Sequence, residues 1–315
     1  MPPPDNVAQR MTTTATHFGE RLSAAVARRE SQIVLGLDPD PGRLWPAGQA
    51  AGDAATGPAA ERAAEAFVAH CTAAIEAVAE ACVAVKPQLA CFERLGAPGW
   101  RALERVAGSA QAHGLLVLAD AKRGDIDVSA TAYTQALVGA TDTPWGEVQG
   151  LSADAITVSP YLGPDTLEPF VAGARRHARG VFVLVRTSNP GGAFLQDQPL
   201  ADGDLVWERM ARLVDGLGAD GPIADVGAVT GATVPQHLER LRELMPRAPF
   251  LLPGIGAQGG KVTDVAPAFA PGPAGGLITA SRGIVRAHEQ AGGAPADAAR
   301  AEAERLREQA WALAG

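Results

Sequence analysis

Residues 115–129 read LLVLADAKRGDIDVS, and both the fold and the chemistry turn on this stretch. It opens as a short apolar run without helical period, the mark of a buried strand. It then turns polar at Asp120, Lys122, Arg123 and Asp125. Strand side chains alternate, so Asp120 and Lys122 fall on the face that carries Leu116 and Leu118. A two-residue rise of about 6.6–6.8 Å lets a carboxylate and an ammonium lean on one small substrate. Gly124 allows a bend, and Asp125 stands near the start of the next helix, where a carboxylate is favoured. Opposite charges at the mouth of an apolar strand are costly to desolvate and mark function more often than structure. Taken alone, the pattern also fits a solvated strand end with surface ion pairs.

The flanking chain decides between these. Periodicity predicts a leading helix over 17–30, then strands at 33–37, 82–85, 115–120, 155–158, 181–185, 223–226, 250–252 and 277–280. Helical patterns separate them at 59–81, 100–113, 128–138, 165–178, 205–217 and 234–245, with a weak helix at 261–268 and a closing one at 296–313. Asp165 is expected to cap its helix, Gly114 to stop the one before it, and Pro235 to sit in a first turn. The Gly/Ala/Pro-rich 45–58 and the segment around Pro144, Trp145 and Gly146 read as loops. Eight strand–helix alternations imply parallel strands, and their number within about 280 residues favours a closed barrel over an open doubly wound sheet. The expected architecture is one α/β domain, a (β/α)8 TIM barrel over 15–315, preceded by a flexible N-terminal tail at 1–14. The glycines around Gly254 follow the seventh strand and form no G-x-G-x-x-G after the first, which weakens a Rossmann reading.

Composition narrows the class. The 315 residues are 47% hydrophobic and 20% charged, enough for a sizeable core. No apolar run reaches the roughly 18 residues of a membrane span, and the first residues lack a signal-peptide pattern. Cys71, Cys82 and Cys91 are odd in number and without metal-ligand spacing, which fits small core residues in a reducing cytoplasm. A net charge of −8 without basic runs argues against nucleic-acid binding.

In a barrel of this kind the site lies at the C-terminal ends of the strands. Those ends carry Asp38, Lys86, Asp120 with Lys122, Ser159, Gln258 and Arg282. In Asp38-Pro39, Lys86-Pro87 and Ser159-Pro160 a proline, lacking a ladder donor, is expected to end the strand and leave a polar side chain at the rim. Gln258 and Arg282 follow the seventh and eighth strands, where barrels often grip phosphate. There a Gly-rich loop turns N–H groups toward oxygens and arginine offers a planar fork.

Together LGLDPDP, VKPQLACFERLG, LADAKRGDIDVSATAY, TVSPYLG, TSNPGG, LPGIGAQGG and SRGI resemble orotidine 5′-phosphate decarboxylase, in family order and over nearly all of the chain beyond the tail. FERLG and TSNPGG look like the longer bacterial subgroup. The resemblance implies a homodimeric barrel, without cofactor or metal, that converts orotidine 5′-phosphate to UMP in de novo pyrimidine biosynthesis. It implies an alternating network of Lys86, Asp120, Lys122 and Asp125, with Asp125 supplied by the partner subunit. It further implies Asp38, Lys86 and Asp125 at the ribose, Ser159 at the pyrimidine, Gln258 and Arg282 at the phosphate, and Ser129 and Pro253 among the substrate contacts. Ser129 stands where relatives commonly have Thr, Ser159 where they often have Asn, and Ser281 where many have Gly. Lys122 would stabilise and protonate the ring carbanion, while 254–260 and the TSNPGG loop close on the substrate.

Three other readings compete. A Mg²⁺-dependent sugar-phosphate barrel, akin to hexulose-phosphate synthase, would use Asp38 and Asp40 as ligands. A Schiff-base aldolase would use Lys122, although an ammonium flanked by carboxylates is a poor nucleophile. A non-catalytic nucleotide-binding barrel would be expected to lack Lys122 or a neighbouring carboxylate, and none is missing.

Overall fold

The computed structural model describes residues 17–232, 236–255 and 259–314. In chain order the elements are α1 (Phe18–Arg29), β1 (Ile33–Leu37), α2 (Pro46–Ala54), α3 (Ala59–Val78), β2 (Ala84–Pro87), α4 (Leu89–Glu93), α5 (Ala97–Ala112), β3 (Leu116–Arg123) and α6 (Asp127–Val138). A hairpin of β4 (Ala140–Thr143) and β5 (Gly146–Gln149) follows. Then come β6 (Ala155–Val158), α7 (Glu168–Arg176), β7 (Gly180–Arg186), α8 (Val206–Leu217), β8 (Val226–Thr230), α9 (Gln236–Leu244) and β9 (Phe250–Pro253). The chain finishes with β10 (Gly276–Ala280), α10 (Arg282–Val285), α11 (His288–Ala291) and α12 (Pro295–Ala314).

Eight parallel strands close into a barrel in the order β1-β10-β9-β8-β7-β6-β3-β2, the predicted (β/α)8 architecture. Closure is made by Leu35, which pairs with Ala280 on one side and Val85 on the other. Alternate strand residues, among them Val34, Leu116, Leu118, Phe182, Leu251 and Leu277, fill the interior. Phe18 and Leu22 of α1 join that same cluster, so the leading helix is a plug rather than part of the outer ring. Its Phe18 ring meets Phe182 edge-on at 6.0 Å. Gly180 leaves room for it, since a Cβ there would lie 2.3 Å from the Phe18 ring.

Several expected boundaries move. The small residues of 45–58 form α2 instead of a loop: Pro46 starts the helix, and Gly48 and Gly52 press it against α3. A Cβ on Gly48 would come within 2.9 Å of the Ala66 carbonyl. The loop expected around Trp145 is the turn of the β4–β5 hairpin. The sixth barrel strand runs over Val226–Thr230, not 223–226. Its Gly227 lies so close to Pro249 that a Cβ would meet that carbonyl at 2.4 Å, a packing glycine within a strand. Asp165 makes no cap; a 3-10 turn over Pro164–Thr166 precedes α7. Pro87 pairs with Leu37 as the last residue of β2, whereas Pro39 and Pro160 lie beyond their strands. Gly114 takes the left-handed conformation (φ +69°) expected just past a helix end. The tail at 1–14 and Pro235 lie outside the described residues.

Candidate active site

A cavity of about 500 Å³ opens at the C-terminal ends of the strands, and Asp38, Lys86, Asp120, Lys122, Pro253 and Arg282 lie on its wall. Of the other expected site residues, Gln258 is outside the described residues. Asp125, Ser129 and Ser159 do not line the cavity. Ser159 is half-buried, its N–H donating to the Arg123 carbonyl at 2.7 Å. Asp125 accepts the N–H of Ile126 at 2.8 Å, and Ser129 is exposed on the first turn of α6. Asp40 is off the wall, accepting from the Gly42 N–H at 3.1 Å and facing Arg286 at 3.9 Å. Among the described residues no group of three or more His, Cys, Asp or Glu is placed to hold a metal ion.

Asp120 is the hub. Its Oδ2 accepts from Lys86 Nζ at 2.5 Å and Gln88 Nε2 at 3.1 Å. Its Oδ1 accepts from Lys122 Nζ at 2.5 Å and Thr157 Oγ1 at 3.0 Å. Four donors fill the roughly four lone-pair sites that a carboxylate offers. Burial works against the Asp120 charge, but the Lys86 and Lys122 ammoniums outweigh it and hold the carboxyl at about 2, below its usual 3.8. The Lys86 side chain is 9% exposed and that of Lys122 45%, so Lys122 is the cation presented to a ligand.

Lys122 reaches this position by a route that strand alternation does not describe. Its backbone is left-handed, with φ +47°, at the end of an otherwise extended strand. For a non-glycine residue this costs on the order of 1–3 kcal/mol and marks functional sites. Gly124, expected to supply the bend, does not take a left-handed φ. It is needed for proximity, because a Cβ there would lie 3.0 Å from the Ser159 carbonyl.

Another part of the wall is the segment after β7. Thr187, Ser188 and Asn189 line the cavity. Behind them buried Arg186 makes a two-pronged pair with Asp197, at 2.7 and 2.9 Å, and donates to the Thr187 carbonyl at 2.6 Å. Gln196 Oε1 accepts the Thr187 N–H at 2.9 Å. The sequence marked TSNPGG as a unit without singling out these side chains. Gln88 and Thr157 were missed too, although each is two residues from an expected site residue.

The arrangement is an anchored ammonium above a saturated carboxylate, in a pocket with an arginine at its far rim. It suits a small anionic substrate and can stabilise, then protonate, negative charge developing on one atom.

Known proteins agree with this picture. The model of the family described as "Orotidine 5′-phosphate decarboxylase / HUMPS family" matches residues 31–296. A protein of Rhodopirellula baltica named orotidine 5′-phosphate decarboxylase is 43% identical over 280 residues, covering 87% of this chain and 89% of its own. One of the same name from Deinococcus radiodurans is 47% identical over 237 residues, covering 75% and 81%. The solved structure of Leishmania donovani OMP decarboxylase superposes with a TM-score of 0.70 at 33% identity, over 93% of this chain and 98% of its own. A closed parallel barrel, a lysine–aspartate–lysine hub at its mouth and these matches over most of the sequence lead to one assignment: the chain belongs to the orotidine 5′-phosphate decarboxylase / HUMPS family.

Proposed function

We propose that this protein decarboxylates orotidine 5′-phosphate to UMP in pyrimidine biosynthesis, and that Lys122 carries the chemistry. The observation behind the reading is the Lys86–Asp120–Lys122 hub, in which one buried carboxylate holds two ammoniums at 2.5 Å. Breaking the bond from the ring to the carboxylate carbon releases carbon dioxide and leaves the electron pair on that ring carbon, in the ring plane. The Lys122 ammonium, already oriented, stabilises this pair without solvent reorganisation and then donates its proton to the same carbon. Asp120 and Lys86 hold Lys122 in place. The metal-dependent sugar-phosphate reading gains nothing from Asp40, which is off the cavity wall.

Asp38 and Lys86 are assigned to the ribose, Pro253 to the nucleotide and Arg282 to the phosphate; all four lie on the cavity wall. Gln258 is assigned to the phosphate and Ser159 to the pyrimidine from the motif alone. Asp125 and Ser129 are assigned to the site of a partner subunit in a homodimer. Their position off the cavity supports this, as do exposed Ile126 and Val128 beside them, 55% and 82% accessible. Among the described residues no helix is long and apolar enough to cross a membrane; we place the protein in the cytoplasm.

The test follows the loss of orotidine 5′-phosphate absorbance with a chelator present. Wild type is expected to turn over and Lys122→Ala to fall by several orders of magnitude. Activity that requires added metal, or a fully active Lys122→Ala, would refute the assignment.

A further inference from the structure

Strands β3 and β6 are in register at Ala119–Ile156 and again at Arg123–Val158. Between these rungs Asp120, Ala121 and Lys122 stand opposite the single residue Thr157. A pleated strand cannot absorb two surplus residues, and the left-handed backbone of Lys122 takes up the excess length. Thr157 faces that bulge with its side chain. Its Oγ1 accepts the backbone N–H of Lys122 at 3.0 Å and donates to Asp120 Oδ1, also at 3.0 Å. The residue is 1% exposed, so water does not replace either bond readily.

We propose that Thr157 is a positioning residue for the reaction. Its one hydroxyl locks the left-handed turn at Lys122 and so keeps the ammonium aimed at the reacting carbon. The task needs a donor and an acceptor on one atom, which a hydroxyl supplies. It also needs a side chain that holds one direction, which favours a β-branched residue with a stiff χ1. Valine has the same shape and neither hydrogen bond. Without the hydroxyl the Lys122 N–H is left without this partner, and Asp120 keeps three of its four donors. The turn then relaxes toward extended geometry and carries Nζ away from Asp120. Binding through Asp38 and Arg282, which follow β1 and β10, is untouched, so the loss falls on the chemical step.

The inference rests on the decarboxylase reading for what the ammonium does, but the turn itself can be observed without turnover. The experiment compares Thr157→Val and Thr157→Ser with wild type. It measures kcat and KM for orotidine 5′-phosphate, Kd for UMP, and hydrogen exchange of the Lys122 amide by NMR. Thr157→Val is expected to lose about 10²-fold in kcat, the scale of a 1 Å misplacement. KM and Kd should stay within about twofold, while the Lys122 amide exchanges at least about tenfold faster. Thr157→Ser, which restores both bonds, should recover kcat to within about fivefold of wild type. Should Thr157→Val not fold, Thr157→Ala adds no new contact and serves the same comparison. Unchanged kcat in the hydroxyl-free variant, or a loss that serine does not recover, overturns the proposal. Should wild type itself not turn over orotidine 5′-phosphate, the functional assignment fails. Amide exchange alone then decides the positioning role, and unaltered protection at Lys122 overturns it.

Discussion

The Nδ1 of His70 accepts the backbone N–H of Trp45 at 3.0 Å, beneath the edge of the Trp45 ring. That bond needs a ring nitrogen without a proton, and the site enforces it. Burial first, then the charges of Arg286 and His288, push the imidazole down to about 4 from 6.5. Between those values the unfolded chain binds the extra proton, so stability is fully present above pH 6.5 and is lost as pH falls toward 4. The difference of about 2.5 units corresponds to about 3 kcal/mol. Urea unfolding of wild type from pH 7 to 4 should show this slope. His70→Asn, which cannot take up the proton, should lose most of it.

Asp120 produces a separate acid transition. Its carboxyl is held at about 2 against 3.8, so its stabilising effect is complete above pH 3.8 and disappears as pH falls through 2. About 1.8 units amount to about 2 kcal/mol. An activity loss on the acid side above pH 4 therefore has another origin. Comparing the pH dependence of kcat with unfolding data from pH 5 to 2 would show it; an Asp120-linked acid limb near pH 5 would contradict the geometry.

Gly36 and Ser281 form a coupled pair below Arg282. A Cβ on Gly36 would lie 2.6 Å from the Ser281 Cβ, so Gly36→Ala must push the start of the Arg282 segment outward. The expected result is a KM raised about tenfold and a stability loss of about 1–3 kcal/mol, typical of overpacking. Adding Ser281→Gly should recover much of both. Strict additivity of the two changes in a double-mutant cycle would argue against the coupling.

Arg242 ties α9 to its surroundings, and among the described residues it has no carboxylate partner. Its guanidinium donates to the carbonyls of Met245, Ala248, Ala268 and Gly275 at 2.7–3.0 Å and lies 3.8 Å over the Phe250 ring. Burial pushes it down to about 9. Arg242→Met fills much of the volume but strands several carbonyls, at about 1–3 kcal/mol for each that stays unsatisfied. A loss of about 3 kcal/mol or more is expected in chemical denaturation. Arg242→Lys should recover little, since three donors on a flexible stem cannot span four acceptors in this geometry.

Arg282→Ala should lower kcat/KM by at least about 10²-fold while leaving the fold intact, because binding energy from a remote anion is used to close the site. Mixing Lys122→Ala with Asp125→Asn subunits tests the proposal that Asp125 completes a partner subunit's site. On that proposal one complete site forms per mixed dimer and activity recovers after exchange; no recovery despite demonstrated exchange would place Asp125 in its own subunit's site.

The barrel was legible in the alternation of apolar strands and amphipathic helices, because side-chain period is a local property of each segment. Lys86, Asp120 and Arg282 could be placed at one rim for the same reason: in a parallel barrel every strand ends on the same face. Close packing misled the reading instead. The glycines of α2 and of β8 look like loop residues but sit where a backbone approaches too near for a Cβ.

Sequence alone placed Asp38, Lys86, Asp120, Lys122 and Arg282 at the mouth of the barrel, where the cavity has them. Only the tertiary structure decided how Lys122 reaches Asp120, that Thr157 closes the bulge between them, and that Asp125 and Ser129 fall outside the cavity of their own chain. The physical reason is that register between strands far apart in sequence is fixed by closing the barrel. No periodicity within one strand carries that information.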